Sequence, residues 1–183
     1  MHVRFKHLLA IALACLVLLP LPARAQIVVS FYSHELGASF PHAFITIKGK
    51  PTGGGAAIDA NYGFTAKSVT PAILMGSVYG VIESAKPGYI ENSDRKFALT
   101  ITDAQYASLM ALIEKWRELP GKSYNLNSRN CVHFVGQAAQ LLGLKVEFDK
   151  KLLKRPRSFL ENIVRLNPGL GTFSSGTPAR LTR

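Results

Sequence analysis

One segment limits the architecture before anything else is read: residues 124–143, YNLNSRNCVHFVGQAAQLLG. Hydrogen-bonding residues run up to Cys131, and from there the pattern turns helical. Cys131, Phe134, Val135, Ala138 and Leu142 recur at steps of three and four and share one face. Gly143 stands where a helix C-cap is expected. The spacing therefore predicts a buried helix with Cys131 in its first turn. The free N–H groups and positive dipole end of such a helix stabilise a thiolate and lower a cysteine pKa. The thiolate is the nucleophilic form.

What precedes the fold reads as an export signal. Arg4 and Lys6 give a positive start, residues 8–19 are apolar, and Ala23-Arg24-Ala25 is a small-x-small cleavage site. Cleavage before Gln26 leaves a single cysteine, Cys131, so no internal disulfide can form. A lone thiol is a liability in an oxidising compartment unless it is a nucleophile or a small buried hydrophobe. The expected organisation is a signal segment over 1–25, one globular domain over 26–167 and a polar, disordered basic tail over 168–183. The expected location is periplasmic or secreted.

Charge is distributed unevenly. Arg4, Lys6 and Arg24 carry three of the net +11 charges, which leaves +8 on the exported chain. Beyond position 149 only Glu161 opposes Lys150, Lys151, Lys154, Arg155, Arg157, Arg165, Arg180 and Arg183. This basic C-terminal segment suits an anionic envelope polymer or lipid headgroups, and equally a solvated tail that aids solubility. No groove-binding motif is visible, so nucleic acid is not an expected partner.

Along the chain, residues 27–32, 43–48 and 56–64 read as strands, the third antiparallel to the second across the Pro51 and triple-glycine turn at 50–55. Residues 77–84 and 96–101 read as two more strands, with loops over 33–41 and 86–94. Thr102 and Gln105 form a capping box, followed by an apolar stripe of Tyr106, Leu109, Met110, Ile113 and Trp116. Residues 145–148 read as a short edge strand, and Ser158 with Glu161 as a second capping box. The sum is an α+β domain: an antiparallel sheet packed against the cysteine-bearing helix.

A cysteine nucleophile needs a base, and the base an orienting group. Of the histidines outside the signal, His133 follows Cys131 by two residues and points away from it around the helix. His42 opens a strand and is the expected base, with His34 in the preceding loop as the alternative. Asp59 and Asn61 share a face of the next strand, and Asp59 is the expected third member. The Cys131 N–H serves as one oxyanion donor, with Tyr32, Asn130 or another loop group as the second. Neither a metal nor a cofactor is implied. There is no histidine pair at ligand spacing, and Gly53-Gly54-Gly55 lacks the lysine and helix of a phosphate loop.

His42 opening a strand, with Asn130-Cys131-Val132-His133-Phe134 opening a helix far downstream, resembles the permuted papain-like superfamily. That group includes amidases and peptidases related to NlpC and the lecithin:retinol acyltransferases, whose Asn-Cys-Glu-His-Phe motif is matched except at Val132. Tyr124-Asn125-Leu126 and Asn61-Tyr62-Gly63-Phe64 are also similar to bacterial branches of the group. The resemblance spans 42–144. It implies a permuted papain-like fold, Cys131 as nucleophile, His42 as base, and a peptide, peptidoglycan or acyl-lipid substrate. The expected activity is that of a thiol amidase, peptidase or acyltransferase. The alternatives are a non-catalytic envelope binding protein on the same fold, and a secreted antibacterial toxin with the same chemistry.

Overall fold

A computed structural model describes residues 26–35 and 40–170. The expected signal segment, part of the loop before His42 and the tail from 171 onward lie outside the described residues. Five strands, β1 (Ile27–His34), β2 (His42–Gly49), β3 (Ile58–Ala66), β4 (Gly80–Glu83) and β5 (Asp94–Ile101), form one sheet in the order β4-β3-β2-β1-β5. Every pairing is antiparallel. The helices are α1 (Ala72–Met75), α2 (Pro87–Glu91), α3 (Asp103–Arg117), α4 (Cys131–Leu141) and α5 (Pro156–Leu166).

Strand alternation divides the sheet's chemistry between its two faces. Ile27, Val29 and Phe31 of β1 lie opposite Ile47 and Ile45 of β2 and Ile101, Leu99 and Phe97 of β5, and they point into the main core. There α4 covers β2 and β3, and α5 covers β1 and β5. The other face carries Tyr32 opposite Phe44 and His34 opposite His42. Trp116 ties α3 to α4: its indole N–H donates to Gln137 Oε1 at 3.1 Å, and its ring meets Phe64 and Phe134 edge-on. The apolar stripe of α3 is core, with Leu109, Ile113 and Trp116 buried. The mixed α+β class and the antiparallel sheet are as expected.

Four local expectations are corrected. The first strand runs on to His34, because its pairing with β2 continues to the His34–His42 rung. The loop at 86–94 contains α2, whose first residue is Pro87, a good N1 residue because it lacks the N–H a helix start leaves unpaired. Residues 145–148 form no strand, since the Asn167 side chain satisfies both the N–H and the C=O of Lys145. Ser158 and Glu161 do not cap: Pro156 starts α5 two residues earlier, so both lie inside it.

Candidate active site

Cys131 is the first residue of α4, and Asn130 sets its position. The Asn130 Oδ1 accepts from the N–H groups of Val132 and His133, while its Nδ2 donates to the carbonyls of Leu126 and Leu153, each at 2.7 Å. The His133 Nδ1 accepts from the Asn130 N–H and completes a capping box. Asn130 is thus a saturated cap that pins the preceding loop and the 149–155 turn to the helix start. With both amide hydrogens committed, it is not free to be the second oxyanion donor. His133 caps the helix and stacks on Phe148, away from the cysteine, as its helical position implied.

The Cys131 sulfur is buried, and the backbone amides of Ala43, Val132 and Cys131 itself are near enough to favour its charged form. The strand-opening His42 and the helix-opening Cys131 lie at the same cavity, of about 560 Å³. The His42 ring lies across Gly63 of β3, whose missing side chain makes the room: a Cβ there would sit 2.5 Å from Nε2. Phe44 stacks beside His42 at 6.2 Å, and Tyr32 and Tyr89 extend this aromatic wall.

Burial dominates the protonation of both groups. It pushes the Cys131 thiol up to about 11, against the opposing pull of the three amides. It pushes His42 down to about 4, with help from the neighbouring His34. The expectation of a thiol acidified by the helix start is therefore corrected. The amides and dipole act in the expected direction, but loss of water around the sulfur outweighs them. At neutral pH the resting pair is a thiol and a neutral imidazole.

The remaining candidates separate clearly. His34 is the cross-strand neighbour of His42, stacked on Tyr89 at 4.1 Å with Nδ1 3.0 Å from Ser93 Oγ. It borders the site and does not line the cavity. Asp59 does not meet His42. It pairs across β3 and β2 with Lys48, its carboxylate exposed and 3.2 Å from Nζ. Lys48 is six positions along β2 from His42, about 20 Å at the usual strand rise. Asn61 faces Thr46 and holds the backbone of Ala85 through both ends of its amide. Tyr32 packs on Phe44 outside the cavity lining.

Four cavity residues were not singled out for roles by sequence reasoning. Thr65 of β3 and Glu83 of β4 line the cavity beside His42. Glu83 pairs directly with Gly63, so it lies one strand beyond His42 on the same face. Tyr89 and Tyr124 flank the sulfur closely enough for a Cys131 charge to act on them. Burial first and that charge second push Tyr89 up to about 12 and Tyr124 upward as well. Both phenols hold their protons at neutral pH and are hydrogen-bond donors. Pro87 at a helix start was the one available signal for Tyr89. Among the described residues no cluster of three His, Cys, Asp or Glu side chains fit to hold a metal occurs.

Compared with protein-family models, curated proteins and solved structures, the chain gives no match.

Proposed function

We propose that this chain is an exported thiol hydrolase or acyltransferase with a permuted papain-like fold, acting on an amide or ester carbonyl. One observation carries the reading: Cys131 at the first turn of α4 and His42 at the mouth of β2 line the same cavity. The sulfur's proton passes to His42 as Sγ attacks the carbonyl carbon and the C–S bond forms. The oxyanion is met by the Cys131 N–H and by a Tyr124 or Tyr89 hydroxyl. Collapse breaks the bond to the amine or alcohol, which leaves with the proton held by His42. Water or an amine, deprotonated by the same imidazole, then resolves the thioester. Peptidoglycan peptides, proteins of the envelope and acyl lipids are the substrate classes in view.

A second reading, a binding protein on the same fold, is favoured by one observation: burial holds the thiol protonated. Mass spectrometry of the Cys131 peptide after incubation with envelope extract separates the two. The enzyme gives an acyl adduct on Cys131 that is lost in Cys131→Ser. The His42→Ala variant forms it slowly, and the double variant is no worse than Cys131→Ser, because nucleophile and base act as a unit. No adduct, together with an alkylation profile unchanged by His42→Ala, overturns the enzyme reading and leaves the binder.

A further inference from the structure

Six large hydrophobic side chains are exposed among the described residues, and five of them, Phe40, Val69, Leu74, Met75 and Tyr79, fall between positions 40 and 79. Scattered exposed hydrophobics are ordinary, but exposed apolar side chains gathered at a cavity are not. Here the placement is specific. Phe40 and Val69 line the cavity mouth, as does Ile73 of α1, and the next two residues of α1 are Leu74 and Met75, 72% and 89% exposed. Helix α1 therefore buries Ile73 toward the cavity and presents its Leu-Met tip outward. Lys86 and Lys154 stand on the same rim, exposed, and neither is in an ion pair among the described residues. Lys150, Lys151 and Arg155, also exposed, extend the positive charge along the adjoining turn against Asp149 alone, and Glu83 is the one acidic side chain of the lining.

We infer that this rim is a docking surface for an anionic lipid bilayer, with Leu74 and Met75 entering the acyl boundary and Lys86 and Lys154 meeting the headgroups. Apolar side chains flanked by lysines are the composition that binds such an interface, where burial and electrostatic attraction add. A wholly aqueous mouth gives no reason for a tip as apolar as Leu-Met. A docked rim also opens the cavity, and with it Cys131, toward the acyl region. The docking does not depend on the proposed thiol chemistry, and its test uses no turnover.

The test is fluorescence quenching by bromine on the acyl chains of vesicles, either phosphatidylglycerol mixed with phosphatidylcholine or phosphatidylcholine alone. The full chain carries Met75→Trp, with a separate Leu141→Trp chain as reference. Leu141 is exposed at the far end of α4, about 15 Å along the axis from Cys131. The native Trp116 is 5% exposed and gives a constant background. The tryptophan introduced at 75 should be quenched on the anionic vesicles and the one at 141 should not. Adding Lys86→Gln and Lys154→Gln should raise the lipid concentration for half-quenching by roughly tenfold or more. Equal quenching at the two positions, as anchoring through the apolar run at 8–19 alone would give, overturns the inference. So does an absence of quenching at 75, as a protein partner for the rim would give.

Discussion

The Gly63→Ala substitution tests His42 as the proposed base directly, because it adds one carbon where the His42 ring now lies. That Cβ would stand 2.5 Å from Nε2, 3.3 Å from Cε1 and 3.2 Å from the Phe44 Cβ. Non-bonded contacts of this kind settle near about 3.5 Å, so the ring must retreat by about 1 Å. Phe44 is fully buried and the wall behind it is aromatic, so the ring has little room to give. Overpacking of this sort costs roughly 1–3 kcal/mol of stability. A 1 Å displacement of a reacting group costs on the order of 100-fold in rate. Gly136→Ala is the matched control. Its Cβ would meet Phe148 at 2.6 Å and the buried Phe159 of α5 at 3.0 Å, so it overpacks the core to a similar degree but five residues beyond Cys131. The assay is hydrolysis of a p-nitrophenyl ester of a short acyl chain, with thermal unfolding alongside. Gly63→Ala should lose about two orders of magnitude of activity while still unfolding cooperatively. Gly136→Ala should keep its activity. Full activity in Gly63→Ala would refute the assignment of the His42 ring as base.

Two further outcomes are expected. Asn130→Ala removes the α4 cap and leaves the Leu126 and Leu153 carbonyls without a partner, so chemical denaturation should show a loss of at least about 2 kcal/mol. Acid titration of stability should show His42. Its value falls from 6.5 in the unfolded chain to about 4 in the fold, so between these pH values only the unfolded chain takes up the proton. Stability is then complete above 6.5, falls as pH drops toward 4, and the loss reaches about 3 kcal/mol. His133, also lowered by burial and by Arg129, adds in the same direction. His42→Gln should remove most of the slope, and an unchanged slope would place the titration elsewhere.

The parts of the molecule written in local patterns were legible. The 3.6-residue periodicity of 131–142 and the Thr102–Gln105 capping box both describe one element at a time, and both elements form as read. What failed depended on register or on solvent. Asp59 shares a strand face with Asn61, but the turn joining the strands decides which rung of β2 each one meets. The Pro51–Gly55 turn makes position 59 pair close to it, at Lys48, and carries the His42 end of β2 toward Thr65. Counting outward from that turn would have excluded Asp59. Glu83 needs a longer argument, because it reaches the site only through the β3–β4 pairing. The thiol's protonation was read from the helix start alone. How much water surrounds the sulfur depends on Phe44, Tyr89, Tyr124 and Leu153, which come from four separate segments.

The burial of the two groups bears on how the proposed site would act. In a thiolate–imidazolium pair formed in advance, the base must hold its proton more tightly than the thiol does. Here the order is reversed, about 4 for His42 against about 11 for Cys131. One cause produces both shifts, since an apolar enclosure disfavours either charge alone. The same enclosure strengthens attraction between opposite charges once both exist, and it strengthens hydrogen bonds to an oxyanion. The charge-separated arrangement is therefore favoured only when a carbonyl lies against the sulfur, so that proton transfer and C–S bond formation proceed together. On the proposed reading, a site built this way would keep its thiol protonated, and so unreactive, until a carbonyl compound fills the cavity.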